Sequence, residues 1–465
     1  MDGRPKVTVY ITSYNYADYV EKAVESVLNQ TLQDFELLIF NDGSTDNTEE
    51  VLKKYEANPK ITVINQQNKG MPKTCNEAIR KAKGEYIVRL DADDYFDENM
   101  LFVLANVLDS KPELGMVYPD YYEIDDCGEI IGIVRRKKIG QESKLLDLPA
   151  HGACTMVRRQ YLLDLGCYSE DIKCQDGYDL WIRFIQKYNP YNANLPLFYY
   201  RKHSRSMTAT SKKILQARKY IKEKFVKNKE EMPESCIIIP IRRQSNVYED
   251  LPLKKINGKY LADYVIDAAM QSKASKVVVT TEDEEIAEIF RNKGVHVVMR
   301  PQELASFKMP IEPTIKYVLS KLIEENFVPS IIGVLFYTSP LINKAHIDEA
   351  INTLAIYDSD SVVGVRENMR LHYIHGEDGL EPLFKDRKIK QEREHLYEES
   401  GAMVFSRSSV LEGDKLVGKR ISHIVLTEDE SIDIEDKYSY WLAEKILTEK
   451  ETLEQLDNKK ITRGY

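Results

Sequence analysis

Apolar runs of strand length recur along the chain, and each is followed by a segment whose apolar positions repeat at helical spacing. Residues 7–11, 36–40, 61–65 and 86–90 predict strands, with helices over 19–28 and 71–82 between them. A further helix is predicted after the second strand, where Asp46 and Glu49 stand three apart like the halves of a capping box. The pattern restarts with strand 236–241, helix 262–272, strand 276–281, helix 282–292 and strand 295–299. Residues 331–336 and 361–365 add two more strands. Strands alternating with helices argue for open α/β sheets, one in each half of the chain.

The joint between the halves is basic. Residues 205–229 hold nine Lys/Arg and a single acid, Glu223, with Ile214, Ala217, Ile221 and Phe225 on one helical face. This predicts a connector helix packed on one of the domains; the alternative is a helix docked on an anionic membrane surface. The expected layout is residues 1–208, a basic helical linker over 209–233, and residues 234–465. Two or three domains is also what 465 residues imply.

Charge and composition narrow the function classes. The 65 Lys+Arg against 75 Asp+Glu give a formal charge of −10, which does not support a nucleic-acid binder. Hydrophobic residues at 43% and charged residues at 30% fit a globular chain and exclude wholesale disorder. The longest apolar runs, such as 331–337, fall far short of the roughly 20 residues a spanning helix needs. Residues 1–6 lead straight into a strand without a signal-peptide core, so a cytoplasmic location is expected. All six cysteines lie within the first 236 residues, with no C-x-x-C pair, and are expected to be reduced, packing thiols.

The chemistry gathers at strand ends. Asp91 and Asp93 follow the strand ending at Leu90, at the carboxyl edge where open α/β sheets bind ligands. A carboxylate pair there suits Mg²⁺ or Mn²⁺ held against a diphosphate, since hard cations take oxygen ligands and leave positions for substrate phosphates. Taken alone, the same pair could be a polar turn with capping aspartates. Asp42 follows the second strand, Tyr14 and Asn15 the first, and Asn68-Lys69-Gly70 the third, so four successive strand ends form one polar edge.

These residues carry a resemblance. Ser13-Tyr14-Asn15, Ser26-Val27-Leu28-Asn29-Gln30-Thr31, Asn41-Asp42-Gly43-Ser44-Thr45-Asp46, Asn68-Lys69-Gly70, Ala82-Lys83-Gly84-Glu85-Tyr86-Ile87 and Asp91-Ala92-Asp93-Asp94 resemble a family 2 glycosyltransferase of the GT-A fold, over residues 7–208. The resemblance implies that Asp42 contacts the donor nucleotide's base or ribose and that Asp91 and Asp93 hold the metal–diphosphate. It also implies that Tyr14, Asn15 and Asn68 line the donor site. Inverting transfer needs a base for the acceptor hydroxyl. The family's motif matches Gln175-Asp176-Gly177-Tyr178-Asp179-Leu180-Trp181, which places the base at Asp176. The alternatives are that Asp176 only caps a helix, or that Asp179, one turn on, is the base. Arg201 and His203 resemble a family tail near the diphosphate. The usual arginine before Asn76 is absent, and Lys73 is expected to supply charge nearby.

The second half is similar to acylneuraminate cytidylyltransferases, from residue 237 to about 446. The matching pieces are Thr280-Thr281-Glu282-Asp283-Glu284-Glu285, Arg300-Pro301-Gln302-Glu303-Leu304-Ala305, Thr338-Ser339-Pro340-Leu341, Asp360-Ser361-Val362-Val363, Ser400-Gly401-Ala402 and Ile432-Asp433-Ile434-Glu435, ahead of a helix over 436–446. The resemblance implies attack of an acidic sugar's hydroxyl on the α-phosphate of CTP. Asp433 and Glu435 would be metal ligands, and Arg242 with Lys254 would meet the triphosphate. The Ile-Asp-Ile-Glu alternation, read as a strand, puts both acids on one face. The family's glycine pair after Arg242 is replaced by Arg243-Gln244, and Phe336-Tyr337 replaces its Gln-Pro. The expectation is therefore two nucleotide-binding, Rossmann-like α/β domains: a glycosyltransferase using a nucleotide-sugar donor and a glycan or glycoprotein acceptor, and a cytidylyltransferase-like domain. The alternative for the latter is a non-catalytic nucleotide-binding module, or a module forming a homodimer.

Overall fold

In the computed structural model, residues 4–135, 152–172, 175–203, 211–227, 232–306, 308–357, 359–368, 370–376, 379–383 and 396–462 are described. Two compact units divide between Ile221 and Lys222.

In the first unit, β1 (Val7–Ser13), β2 (Phe35–Asp42), β3 (Ile61–Gln66) and β4 (Tyr86–Asp91) pair in parallel in the order β3-β2-β1-β4. Helices α1 (Ala17–Leu28), α2 (Thr48–Lys53) and α3 (Met71–Lys81) connect them. β1, β2 and β4 are buried almost throughout, as strands covered on both faces must be. The sheet continues with β5 (Tyr95–Phe96), β6 (Leu114–Ile124), β7 (Ile130–Val134), β8 (Met156–Arg158) and β9 (Asn189–Arg201) in mixed orientation, β8 joining antiparallel to β4. Val20, Val24 and Val27 of α1 and Leu101, Leu104 and Leu108 of α4 (Met100–Ser110) cover one face. Residues of α3, α5 (Arg159–Asp164) and α6 (Asp176–Ile185), including Ile79, Leu162, Trp181 and Phe184, cover the other.

The expected capping box is not formed. Asn47 occupies the N-cap of α2, while Asp46 accepts from the Thr48 and Ala17 amides and so ties the start of α2 to that of α1. The basic helix is α7 (Ser211–Lys227). Arg218 lies over the Tyr178 ring at 4.9 Å and donates to Gln175 Oε1 at 3.0 Å. The buried Lys222 Nζ pairs with Glu349 at 3.3 Å and donates to Thr353 Oγ1 at 3.2 Å. These two cations are spent on the protein itself.

The second unit has β10 (Ser235–Pro240), a small hairpin of β11 (Lys255–Ile256) and β12 (Lys259–Tyr260), α8 (Leu261–Met270), β13 (Lys276–Thr281), α9 (Glu284–Asn292), β14 (His296–Met299), α10 (Glu312–Glu324), β15 (Ile331–Leu335) and α11 (Lys344–Ile356). It continues with β16 (Ser361–Asn368), a second hairpin of β17 (Tyr373–Gly376) and β18 (Gly379–Pro382), β19 (Leu396–Arg407), α12 (Ser408–Glu412), β20 (Ile421–Val425) and α13 (Lys437–Thr462). The seven-stranded order is β14-β13-β10-β15-β19-β16-β20, parallel from β14 to β15. α9 starts two residues later than expected because Asp283 is its N-cap and accepts from the Ile286 amide. Residues 432–435 are not a strand.

Among the described residues no helix is long and apolar enough to cross a membrane. Cys75, Cys154, Cys167 and Cys236 are buried free thiols, as a packing role requires, whereas Cys127 is exposed. Cys174 lies outside the described residues.

Candidate functional site

The carboxyl ends of β3, β2, β1 and β4 come out at one edge of the first sheet. Loop-to-loop hydrogen bonds build that edge. Asp42, buried at the end of β2, accepts from the Lys69 amide at 2.9 Å and Gln66 Nε2 at 2.7 Å on Oδ1, and from the Gly70 amide at 3.0 Å on Oδ2. A carboxylate oxygen has two lone-pair positions, so one on Oδ2 is left for a ligand. Gly43 is left-handed, with φ +78°, and a Cβ there would come within 2.7 Å of the Asn68 nitrogen. Asn15, also left-handed, accepts from the Thr45 amide at 2.7 Å, and its own amide donates to Ser44 Oγ at 3.0 Å. Tyr14, Asn68 and Lys73 are exposed along this edge.

At the end of β4 the acids crowd together. Burial and the Asp91 charge push the Asp93 carboxyl up, against the lowering pull of His203. His203 Nε2 lies 2.9 Å from Asp93 Oδ2, its ring stacked on Tyr19. Arg201 is spent differently: Nε donates to the Asp93 carbonyl and Nη1 to those of Asp125 and Asp126, while its amide donates to Asp94. It shapes the turn carrying the acids, and its guanidinium is bonded to main chain. Asp91 Oδ1 is buried without a hydrogen bond, although Arg89 Nε is 3.0 Å away. Among the described residues no third His, Cys, Asp or Glu completes a metal cluster. Two carboxylates at one strand end, one with a buried oxygen that accepts no hydrogen bond, fit Mg²⁺ or Mn²⁺ whose remaining ligands are phosphates and water.

Asp176 is the first residue of α6, and Gln175 holds the N-cap position without a side-chain capping bond. Asp176 is therefore not the cap. Its Oδ2 is buried without a hydrogen bond and faces Arg89 Nη1 at 3.5 Å. Asp179 is committed elsewhere: its Oδ2 accepts from Arg183 Nε and Nη2 and from Ser169 Oγ, at 3.0, 2.7 and 2.7 Å. Beside Arg89 lies a cavity of about 40 Å³, lined in part by Tyr10, Tyr168, Gly177 and Trp181, with room for two to four waters at ~10–15 Å³ each. Sequence reasoning missed Arg89; it stands inside a strand, where its only signal was a charge in an otherwise apolar run.

In the second unit, Arg242 follows β10, residues 337–339 follow β15, and Gly401 precedes the part of β19 that pairs with β15 from Met403 on, all at one sheet edge. Asp433 joins them. Its Oδ1 accepts from Ser339 Oγ at 3.2 Å, the Ile434 amide donates to the Thr338 carbonyl, and Oδ2 would lie 3.2 Å from a Cβ on Gly401. Burial pushes the Tyr337 phenol up to about 12; Arg242 pulls it down and Asp433 pushes it up, so this ring senses both. Glu435 is exposed and not on a shared strand face with Asp433, correcting the alternation argument. Lys254 rests on the Tyr248 ring at 4.6 Å. Arg243, standing where glycine was expected, pairs with Asp250, Asp283 and Glu285 at 2.9, 2.6 and 2.6 Å.

Residues 8–166 match the sequence model of Glycosyl transferase family 2, and residues 236–460 that of Cytidylyltransferase. The chain thus pairs a segment similar to family 2 glycosyltransferases with one similar to cytidylyltransferases. The chondroitin synthase of Pasteurella multocida (strain Pm70) is 33% identical over 184 residues, 39% of this chain and 19% of that protein. An uncharacterized glycosyltransferase of Rickettsia typhi is 28% identical over 281 residues, 58% of this chain and 86% of that protein. The chain therefore spans only 19% of the length of the synthase. Among solved structures, CMP:2-keto-3-deoxy-manno-octonic acid synthetase complexed with CTP is similar at TM-score 0.37 and 13% identity, over 47% of this chain and 99% of that one.

Proposed function

We propose that the chain is a bifunctional cytoplasmic enzyme of surface-glycan assembly, with residues 1–208 transferring a sugar and residues 234–465 activating an acidic, nonulosonic-type sugar with CTP. The observation that carries the first half is the edge that collects Asp42, Asp91 and Asp93, with Asp176 joined to Asp91 through Arg89. Asp42 and the loop it orders would hold the donor's nucleoside. Asp91 and Asp93 would hold Mg²⁺ or Mn²⁺, which neutralises the diphosphate when bound. Asp176 would take the proton of a glycan or glycoprotein hydroxyl as that oxygen bonds to the anomeric carbon and the bond to the diphosphate breaks, giving inversion.

In the second half, a sugar hydroxyl would attack the α-phosphate of CTP and expel pyrophosphate, with Arg242 and Asp433 at the phosphates. One observation favours a second reading, a non-catalytic nucleotide-binding or dimerisation module. Arg243 and its three acidic partners fill the place where glycine amides would approach phosphate. Two assays on the full chain test both halves: thermal shift with UDP-, GDP- and CMP-sugars plus Mn²⁺, and pyrophosphate release from CTP with a panel of nonulosonic acids. No shift with any nucleotide sugar refutes the transferase assignment. Binding of CTP without pyrophosphate release selects the module.

A further inference from the structure

Arg89 and Asp91 are two residues apart on β4 and so project to the same face of the sheet. The Arg89 side chain is 8% exposed; its fork faces two acids, and Nη1 also donates to Cys75 Sγ at 3.9 Å. Nε lies 3.0 Å from Asp91 Oδ1, Nη2 donates to Asp91 Oδ2 at 3.4 Å, and Nη1 lies 3.5 Å from Asp176 Oδ2. Those acids come from distant parts of the chain, one ending a strand and the other opening a helix. Gly152 packs against the guanidinium: a Cβ there would stand 3.2 Å from Nη2.

We propose that Arg89 is a positioning residue for sugar transfer, fixing the candidate base Asp176 relative to the metal-side carboxylate Asp91. The assignment rests on the transferase reading above. A planar fork can grip two carboxylates at a set spacing, which a lysine's point charge cannot. The spacing matters because the acceptor's proton leaves on the Asp176 side while the diphosphate leaves on the Asp91 side. A misplacement of about 1 Å in such a pair costs on the order of 10²-fold in rate. Arg89 also has a second, opposite effect: its charge competes with a divalent cation for Asp91.

These two effects give Arg89 a signature that general destabilisation cannot copy. In full-length Arg89→Gln, Mn²⁺ followed by electron paramagnetic resonance, with UDP or GDP present, should bind about threefold or more tightly, because the competing cation is gone. Turnover of the nucleotide sugar found by thermal shift should fall about 10–100-fold with the donor KM within about threefold. Arg89→Lys should recover part of the turnover. Asp176→Asn combined with Arg89→Gln should be no slower than Asp176→Asn alone, since Arg89 acts through that carboxylate. Fully additive losses, or weaker Mn²⁺ binding that tracks a fall in melting temperature in both Arg89 variants, overturn the proposal. If the wild type turns over no nucleotide sugar, the transferase reading fails, whereas tighter Mn²⁺ binding in Arg89→Gln still supports the grip on Asp91, and unchanged binding overturns it.

Discussion

Asp176 and Asp179 differ by one helical turn, yet replacing each with asparagine should produce opposite phenotypes. Asp179 accepts three hydrogen bonds, two from Arg183, whose Nη1 holds the Leu165 carbonyl and whose Nη2 also holds that of Cys167. Removing one partner of a buried ion pair costs ~3–5 kcal/mol. Both side chains keep some solvent contact, at 22% and 10%, so about 2–4 kcal/mol is expected for Asp179→Asn. For a unit of this size that lowers the melting temperature by roughly 5–15 °C. Among the described residues Asp176 makes a 3.5 Å approach to Arg89, which keeps Asp91 as a partner. Asp176→Asn should therefore cost about 1 kcal/mol or less in stability and about 10²–10⁴-fold in transfer. Differential scanning calorimetry and initial rates with the donor identified by thermal shift separate the two. The assignment is refuted if Asp176→Asn keeps its rate within tenfold, or if Asp179→Asn loses turnover while melting like the wild type.

Three further outcomes follow from the same geometry. Gly43→Ala forces a side chain into a left-handed position 2.7 Å from Asn68; it should cost ~1–2 kcal/mol and weaken nucleotide-sugar binding, read by calorimetric titration. Gly401→Ala, at φ +69° and 3.2 Å from Asp433, should displace that carboxylate and reduce Mg²⁺-dependent CTP binding, while Gly413→Ala, at negative φ, should not. Glu430 is lowered from 4.5 to about 2, burial opposing and His346 with Thr427 favouring the charged form. Its folded value lies below its unfolded one, so its contribution is present above about pH 4.5 and lost as pH falls toward 2; Glu430→Gln should flatten that part of the second unit's stability–pH curve.

The parallel cores were legible because their strands, buried on both faces, read as unbroken apolar runs. The mixed edge of the first sheet was not. β9 contains Pro190 and Pro196, which read as breakers, and it pairs with β6 through repeated register shifts. β8 has three residues and no pattern to detect. In the second unit β19 carries exposed and buried halves in one strand, so no single period describes it. The strand-end acids were readable because each sits directly after an apolar run. What they bond to was not, since Asp42 meets residues 66–70 and Asp176 meets residue 89 only once the chain is folded.

The arginines make the same point from the other side, and they bear on where phosphate can dock. A fixed positive charge near a strand end reads as a phosphate ligand in any sequence, because its partner is invisible. In the fold, Arg201 is bonded to three carbonyls, Arg243 to three carboxylates, and Arg300 to Glu282 and the Ile241 carbonyl. A guanidinium already holding buried or paired acceptors gives them up only at the cost of leaving those acceptors unsatisfied, ~1–3 kcal/mol each. Recruiting Arg243 to a triphosphate would release Asp250, Asp283 and Glu285 and would free the N-cap of α9 from its cation. Arg242, beside Tyr337 and on the same edge as Asp433, asks for no such exchange of the α9 cap. On the reading proposed above, phosphate recognition in the second unit would centre on Arg242, with Arg243 holding its own loop to Asp250, Asp283 and Glu285.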